Sequence, residues 1–201
     1  MKTKLILSGA LIASFALFGF TAPKAGSKAE SYKVDAVKST MVWTGKKVTG
    51  AHTGGVKLAS GTLSLNGDAV QSGNFVIDMT SLTNTDMQGE YSDKLLGHLK
   101  SDDFFSVDKF PTSNFEITKI SNAGKDRVTV EGNLTIKGIT NPVTFPASIS
   151  KKNNVVVAVA TIKVDRTKYD IKYGSKSFFE GIGDKAIDND FELQVNLVAI
   201  K

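Results

Sequence analysis

Beyond residue 35 the chain alternates apolar and polar residues with a period of two. In one such run, Leu134 and Ile136 alternate with Asn133, Thr135 and Lys137. Successive side chains of a β-strand point to opposite faces, so this pattern is typical of strands with one buried face. Eight such runs lie between residues 40 and 200, most of them separated by short polar turns. They predict an all-β domain of eight antiparallel strands that either closes into a barrel or stacks as a sandwich.

One of the eight runs does not show which of its faces is buried. From Val155 to Val164 nearly every residue is apolar, so the two faces of the strand look alike. A shift of one residue exchanges the two faces of a strand. The register of this strand is therefore left open.

Two long segments interrupt the strand pattern. The first, Ser81 to Pro111, contains a helix predicted from Ser92 to Ser101, with leucines at positions 95, 96 and 99 on one side. An apolar stripe of this kind suits a helix that caps one end of a barrel. The second segment, Thr167 to Asp188, has too many apolar and aromatic residues for a solvated loop. We expect it to fold back onto the barrel as well.

The first thirty residues have the features of an export signal. Lys2 and Lys4 precede an uncharged, mostly apolar stretch from Leu5 to Phe20. This stretch is shorter than the roughly 20 residues that span a bilayer, so a membrane anchor is the weaker interpretation. Small residues before Ala29 favour cleavage after that position. The sequence thus predicts a signal peptide of residues 1–29, one mature domain of residues 30–201, and a periplasmic or secreted location.

The predicted cleavage changes the charge of the chain. The full sequence has 25 basic and 20 acidic side chains, a net charge of +5, which by itself suggests an anionic partner. Four of the basic residues, Lys2, Lys4, Lys24 and Lys28, lie in the predicted signal peptide, which has no acidic residue. The mature domain then has a net charge of only +1. A nucleic-acid partner loses its main support, because such proteins usually carry clustered Lys and Arg.

Candidate catalytic chemistry in the sequence is sparse. There is no cysteine, which excludes disulfides, thiolate metal sites and cysteine nucleophiles. The two histidines, His52 and His98, have no second imidazole at a metal-binding spacing, so we predict no metal site. There is no nucleophile elbow and no phosphate-binding glycine loop. We therefore predict no catalytic residues, no cofactor and no enzymatic activity.

The size of the inward-facing residues decides whether an eight-stranded barrel is filled or holds one small ligand. Here the predicted inward set is mixed. Its large members are Trp43, Phe75, Met79, Phe115 and Phe145, and its small members are Gly45, Gly73, Gly132, Ala147, Ala158, Ala160 and Ala199. The small residues either accommodate the curvature of a filled barrel or leave an apolar tunnel. Both interpretations stay open.

Arg166 is the candidate for a polar contact at the mouth of such a tunnel. It lies in the sequence Asp165-Arg166-Thr167 at the end of a strand. A guanidinium at this position could meet a phosphate or quinone oxygen of a head group. The simpler interpretation is a surface ion pair with Asp165 or Asp170.

Four blocks of the sequence stand in a characteristic order and spacing. They are Gly50-Ala51-His52-Thr53-Gly54, Leu99-Lys100-Ser101-Asp102-Asp103-Phe104-Phe105, Gly132-Asn133-Leu134-Thr135-Ile136-Lys137-Gly138 and Asp165-Arg166-Thr167-Lys168-Tyr169. With these blocks the region from Tyr32 to Lys201 resembles the YceI-like family of exported polyisoprenoid-binding proteins. The resemblance implies an eight-stranded, lipocalin-like antiparallel β-barrel with one short capping helix. It also implies a long isoprenoid, quinone or fatty amide tail in the central tunnel, often in a homodimer.

The resemblance supplies no catalytic residues and implies that apolar residues of the matching blocks line the tunnel. The predicted ligand-binding residues are Trp43, Phe75, Ile77, Met79, Leu99, Phe104, Phe105, Phe115, Leu134, Ile136, Phe145, Arg166 and Tyr169. All but Arg166 are aromatic or aliphatic. They predict a site that binds by removing apolar surface from water.

These observations together predict an exported protein that holds a polyprenyl or quinone-type isoprenoid, or a similar long-chain amphiphile, for transport or storage. The lipid is the expected partner, with transient membrane contact and a homodimer as further expectations, and with no nucleic acid. Two other classes of function stay open. An enzyme acting on an isoprenoid or lipid would need polar groups that converge deep in the tunnel. A structural or surface-interaction protein would have a filled core and an exposed apolar patch.

Overall fold

The structure, a computed structural model, describes residues 29–124 and 126–201. The predicted signal peptide, residues 1–29, lies outside these residues except for Ala29. The described part of the chain forms nine strands, β1 (Glu30–Val34), β2 (Thr40–Lys47), β3 (Gly50–Asn66), β4 (Ala69–Asp78), β5 (Thr112–Gly124), β6 (Arg127–Ile136), β7 (Ile139–Lys152), β8 (Val155–Asp165) and β9 (Ile187–Ile200). The helix α1 (Gly89–Lys100) follows β4, and 3-10 turns occupy Met79–Ser81, Arg166–Tyr169 and Gly183–Lys185.

Strands β2 to β9 form a closed antiparallel barrel. Each strand from β3 to β9 pairs with the strand before it, and β9 returns to pair with β2. The predicted fold class, an eight-stranded lipocalin-like barrel with one capping helix, is confirmed. The sequence pattern missed β1, which pairs with the end of β3 and with the last residues of β9. Its five residues are too few for an alternating pattern to stand out.

The two ends of the barrel are built differently. At the end that we call the closed end, β1 lies beside the ends of β3 and β9, and the turns after β3 and β7 are short. At the other end, which we call the capped end, lie the β2–β3 hairpin, residues 79–111 with α1, and residues 166–186. Neighbouring strands run in opposite directions, so both long segments emerge at the same end of the barrel.

The pairing of β8 with β9 fixes the register that the sequence left open. Val156 pairs with Ala199, and Ala158 pairs with Leu197. The even-numbered residues of β8 consequently face the interior, with Val156 fully buried, whereas Val159 is 51% exposed. The first half of the outer face of β8, with Val155, Val157 and Val159, is therefore apolar, and Thr161 and Lys163 continue this face as polar residues.

Helix α1 is a loosely packed cap. It begins at Gly89, three residues before the predicted start, and the preceding Gln88 makes no side-chain cap that would have marked this boundary. None of its residues is buried. Leu95, Leu96 and Leu99 contact the core of the barrel but remain partly exposed.

The segment between β8 and β9 folds back onto the barrel over its first part, as expected. Tyr169 and Ile171 are almost completely buried in a cluster with Phe104. Farther along, Phe178 and Phe179 stay about half exposed. The prediction that this whole stretch of apolar residues packs inward is therefore correct only for its beginning.

Candidate ligand-binding cavity

The barrel encloses a cavity of about 260 Å³. A cavity needs roughly 10–15 Å³ to hold one water molecule, so this one has room for a chain of carbon atoms. Its wall consists of inward-facing residues of β2 to β9 and is completed by α1 and the residues after it. The exposed atoms of the wall are almost all apolar. The interpretation of a completely filled barrel is therefore wrong.

The large aromatic residues lie against the wall instead of filling the centre. The ring of Phe115 stacks on Phe75 at 6.2 Å and contacts Phe145 at 5.6 Å, measured between ring centroids. A Cβ atom at Gly132 would overlap the Phe115 ring. Likewise, a Cβ at Gly73 would press on Phe75 and its neighbours. These two glycines thus make room for the aromatic rings, a role that neither interpretation of the small residues included.

Four of the other small residues border the open space, whereas Ala199 is buried in the core. Ala158 and Ala160 on β8 line the cavity, together with Ala147 on β7 and Gly45 on β2. In the strand order around the barrel β8 lies opposite β4, which carries Phe75. The cavity therefore lies between Phe75 and the short side chains of β8, although the strands on either side of β8 carry Phe145 and Phe191.

Twelve of the thirteen predicted ligand-binding residues line the cavity. They are Trp43, Phe75, Ile77, Met79, Leu99, Phe104, Phe105, Phe115, Leu134, Ile136, Phe145 and Arg166. Their contact with a ligand stays a prediction, since the positions alone do not test it. Tyr169 differs, because it packs behind the wall against Phe104, Leu134 and Ile136.

Tyr169 has a buried hydroxyl with no hydrogen-bond partner among the described residues. The residue is 1% exposed. Burial in this apolar cluster disfavours the phenolate and raises the pKa of Tyr169 to about 12, with a smaller contribution from the charge of Asp165. An unpaired buried hydroxyl costs about 1–3 kcal/mol of stability.

Arg166 supports the capped end through main-chain contacts. Its guanidinium donates hydrogen bonds to the carbonyl oxygens of Asp188 at 2.9 Å, Ile171 at 2.8 Å and Ile187 at 3.1 Å. The surface ion pair with Asp165 or Asp170 does not form, because these carbonyls hold the guanidinium instead. Burial lowers the pKa of Arg166, and the charges of Asp165 and Asp188 oppose that shift.

Arg166 also faces the cavity. It lies on the wall, and its guanidinium carbon is 5.8 Å from the centroid of the Phe104 ring. A guanidinium has five N–H groups, of which three bond to the carbonyls described above. The side chain thus adds positive charge to an otherwise apolar surface.

The polar residues at the cavity edge all lie at the capped end. Besides Arg166 they are Lys46 and Lys47 on β2, His52 on β3, Ser113 on β5, and Asp188 and Asp190 on β9. No comparable group lies at the closed end, where Leu63, Ile149 and Leu197 line the described wall. The cavity is therefore polar at one end and apolar at the other.

The Gly50–Gly54 block holds the segment that leads into α1. The His52 imidazole lies 2.8 Å from a carboxylate oxygen of Asp86, and the Thr53 N–H donates to the other oxygen at 2.8 Å. A Cβ at Gly54 would overlap the Thr83 carbonyl, so only glycine permits this close approach. Sequence reasoning placed His52 in a turn and missed this role.

The carboxylate of Asp86 is stabilised in its charged form. Burial raises its pKa, but the hydrogen bonds from the Thr53 N–H, His52 and Asn84 together outweigh burial and leave the pKa below its usual value. The cap is thus tied to β3 by an ionised group.

The second histidine belongs to the cap itself. The His98 ring packs edge-on against Phe104 at 4.8 Å and Tyr173 at 4.5 Å, and its Nε2 lies 3.2 Å from Asp103. Within residues 29–124 and 126–201 no group of three or more His, Asp and Glu side chains is placed to hold a metal ion. Nor does any helix in this part of the chain have the length and hydropathy to cross a membrane.

The chain matches the family model of the YceI-like domain over residues 32–199. It belongs to the YceI-like family. The cavity just described is thus the interior of a YceI-like barrel.

Curated relatives of this YceI-like protein match parts of the chain. A UPF0312 protein of Vibrio parahaemolyticus is 31% identical over 114 residues, which are 53% of this chain and 57% of the relative. A UPF0312 protein of Pseudomonas paraeruginosa is 44% identical over 57 residues, which are 28% of this chain and 29% of the relative. The alignments span about a quarter to three fifths of these curated relatives.

Solved structures share the fold over most of the YceI-like domain. BcnA of Burkholderia cenocepacia superposes with a TM-score of 0.68 at 20% identity, covering 82% of this chain and 98% of BcnA. A polyisoprenoid binding domain from Saccharophagus degradans superposes with a TM-score of 0.61 at 13% identity, covering 84% and 97% of the two chains. These likenesses show a common barrel.

The YceI-like barrel has wall residues that sequence reasoning did not select. On β9 they are Phe191, Leu193, Val195 and Leu197. Their period of two was visible in the sequence, but no quoted family block covers them. On β8 they are Ala158, Ala160 and Ile162. The two alanines belong to the predicted inward-facing set but were not chosen as ligand-binding residues, because both faces of this strand are apolar and its register was left open.

Proposed function

We propose that this YceI-like protein binds one long-chain isoprenoid or similar lipid in its barrel and carries or stores it without changing it chemically. The main support is the cavity of about 260 Å³ with a nearly continuous apolar wall. Each methylene group that enters such a space contributes about 0.8 kcal/mol, so affinity grows with the length of the apolar tail. Among the described residues of the wall, the polar groups lie at the capped end and none lies beside the inner part of the tail.

The distribution of polar groups suggests the orientation of the lipid. The tail points toward the closed end, where Leu63 and Leu197 form the wall. The head group lies at the capped end, close to Arg166 and the polar cavity edge. An oxygen of a quinone, phenol or phosphate head group could accept from the N–H groups of Arg166 that do not bond to carbonyls.

The predicted export signal suggests that the protein works in the periplasm or outside the cell. A lipid of this kind is poorly soluble in water, so a carrier there would exchange it with membranes. The polyisoprenoid binding domain of Saccharophagus degradans, which shares the fold, supports an isoprenoid ligand by its name. We also carry forward the homodimer that the family resemblance implied.

Native mass spectrometry of the protein purified from its own host tests the proposal directly. We expect one lipid per barrel, released by organic solvent and identified as a prenyl compound with its head group intact. Protein that carries no lipid, and that does not take up a polyprenyl or quinone probe after extraction, would rule the proposal out.

Two adjacent residues of β8 provide a matched pair of variants. Ala160 faces the cavity and Val159 faces solvent. Ala160→Phe places a ring in the space that the tail would use and displaces at least two methylene groups, which is roughly a tenfold loss of affinity. Val159→Phe adds a ring to the same strand on the outside, and we expect unchanged affinity. Equal affinities of the two variants for a fluorescent prenyl probe would place the ligand elsewhere.

A further inference from the structure

Three aromatic residues of one segment at the capped end are exposed. Tyr173, Phe178 and Phe179 are 44%, 49% and 47% exposed. We call these three residues the aromatic rim. All lie between β8 and β9, the segment whose first part is buried. Soluble proteins rarely leave neighbouring phenylalanines in water without a binding role.

The aromatic rim is held outward by a hydrogen-bonded turn. The carbonyl of Ser175 accepts the N–H groups of Phe178 at 3.1 Å and Phe179 at 3.0 Å. Ser175 itself is completely buried, and its hydroxyl donates to the side chain of Asn189 on β9 at 2.6 Å. The two rings are therefore carried on a turn that is anchored to the barrel, and their exposure does not come from a loose loop.

Lysines outnumber acidic residues near the aromatic rim: five lysines lie in residues 172–186 and at the tip of the adjoining β2–β3 hairpin, against Glu180 and Asp184 in residues 172–186. The ammonium of Lys172 lies 5.3 Å from the centroid of the Phe178 ring. Lys176 and Lys185 are in the same segment, and Lys46 and Lys47 are in the hairpin that pairs with its end. These last four lysines form no ion pair within the described residues. Exposed aromatic rings flanked by lysines are typical of surfaces that enter the headgroup region of an anionic bilayer.

The aromatic rim is also continuous with the cavity. Tyr173 contacts Phe104 at 5.6 Å between ring centroids, and Phe104 lines the cavity. Tyr173 contacts His98 on α1 as well. Whatever binds the rim thus lies next to the cap and to the polar edge of the cavity.

We infer that the aromatic rim docks the barrel, capped end first, on the surface of a bilayer that contains anionic lipids. Phe178 and Phe179 insert among the headgroups, and the nearby lysines face lipid phosphates. A second copy of the chain is a poorer partner, because a twofold contact would bring the lysines of one rim against those of the other. The inference assigns a surface and an orientation, and it does not depend on which lipid the cavity holds.

Vesicle flotation of the mature chain tests the docking. We expect the protein to float with vesicles of phosphatidylglycerol and phosphatidylcholine, and less with phosphatidylcholine alone. The double change Phe178→Ser and Phe179→Ser should lower the bound fraction by about tenfold or more, since the rings supply the apolar contact. The double change Val42→Ser and Val159→Ser removes exposed apolar residues from the side of the barrel and should leave flotation unchanged.

The contribution of charge is tested separately. Lys176→Glu with Lys185→Glu should reduce binding to the anionic vesicles and leave the weaker binding to phosphatidylcholine unchanged. Brominated lipids should quench the fluorescence of the tryptophan introduced by Phe179→Trp, whereas they should not quench that of the tryptophan introduced by Val159→Trp. The comparison of the two tryptophan variants does not depend on a variant that has lost binding. It therefore still tests the inference if the double serine variant does not fold.

Three results would overturn the inference. One is wild-type protein that stays with the aqueous phase in both vesicle types. Another is equal loss of flotation in the rim and side variants. The third is a dimer in sedimentation velocity, without vesicles, that disappears in the Phe178→Ser and Phe179→Ser variant, since a second copy would then cover the rim. Lipid-extracted protein and Ala160→Phe should float like the wild type, so a failure of lipid carriage is distinguished from a failure of docking.

Discussion

The closed and capped ends of the barrel are made from the same strands but differ in packing. At the closed end Tyr32, Leu65, Val156 and Ala199 have no exposed surface. At the capped end α1 has no buried residue, and its leucines cover the cavity only in part. The closed end is thus a closely packed core, whereas the capped end is covered by a helix that packs loosely on the barrel.

This difference suggests which end can open. Separating closely packed side chains exposes apolar surface and leaves voids, so the closed end resists opening. Elements with few buried contacts open at lower free-energy cost. Entry and exit of a ligand are therefore expected at the capped end, where the cavity has its polar edge and where the aromatic rim lies. The predictions below test this contrast, beginning with the largest effect.

Matched leucine truncations measure the packing of the two ends. Leu65→Ala at the closed end removes a fully buried side chain, and we expect a loss of about 3 kcal/mol in the free energy of unfolding. Leu99→Ala on α1 removes a partly exposed side chain of the cavity wall. Its cost should be about 1 kcal/mol, since less surface is buried there. Urea denaturation of the lipid-extracted variants gives both values.

In ligand exchange the order of the two effects should reverse, so that Leu99→Ala has the larger effect on the rate of ligand release. Leu99→Ala is expected to speed the release of a bound prenyl probe, and Leu65→Ala is expected to leave that rate nearly unchanged. Equal costs in stability, or faster release from the closed-end variant, would contradict the proposed contrast between the ends.

Tyr169 tests whether the buried cluster beneath α1, which includes Phe104 and Ile171, excludes water. Its folded-state pKa, about 12, is above the unfolded value of 10.0. The neutral phenol therefore stabilises the folded state below pH 10, and this contribution is lost as the pH rises toward 12. The shift corresponds to about 3 kcal/mol.

Tyr169→Phe removes the unpaired hydroxyl and, with it, the loss of folding stability that ionisation of the phenol causes at alkaline pH. We expect a variant at least as stable as the wild type at neutral pH, with a growing advantage between pH 10 and pH 12. Tyr173→Phe, at an exposed position, is the control. Parallel stability curves of wild type and Tyr169→Phe over the alkaline range would show that the cluster around Tyr169 admits water.

The tether between Asp86 and β3 gives the smallest effect. Hydrogen bonds lower the pKa of Asp86 despite its partial desolvation. Its charged form therefore stabilises the fold above the unfolded value of 3.8, and this stability is lost as the pH falls through the lower folded-state pKa. Asp86→Asn should cost about 1 kcal/mol at neutral pH. The difference from the wild type should shrink in acid.

Asp93→Asn, at an exposed carboxylate of α1, provides the comparison for the tether. We expect it to change neither stability nor the release of a bound probe, whereas Asp86→Asn should speed release because the segment before α1 is less firmly held. An acid-independent effect of Asp86→Asn would mean that the ionised carboxylate does not hold the cap.

Much of the fold was predictable because alternation is a local property. The strands around Trp43, Leu134 and Phe145 each show which residues face inward, and their short turns imply antiparallel neighbours. The start of α1 was predicted three residues late, since Gln88 offers no capping side chain. Strand β1 was missed because it is short and its partners are far away in sequence.

The candidate site was predictable as a set of apolar residues but not as a shape. Seven of the twelve predicted residues that line the cavity lie on strands, where the period of two points them inward. The other five lie on α1, in the segment after it or in 3-10 turns, where the alternating pattern does not apply. Tyr169 was placed with them, yet the 3-10 turn that follows β8 directs it behind the wall. For Arg166 the sequence offered a head group or a carboxylate, and folding brought three main-chain carbonyls to it from residues 5 to 22 positions away.

The sequence by itself determined an antiparallel β-domain with an apolar interior, a capping helix and a nearly uncharged predicted mature chain. Those properties follow from side-chain periodicity and composition, which need no knowledge of distant contacts. Only the tertiary structure decided the register of β8, the use of Gly132 to accommodate Phe115, and the open space beside Ala160. It also decided that Phe178 and Phe179 stay outside. Each of these depends on which residues from remote strands and turns meet, and local patterns do not contain that information.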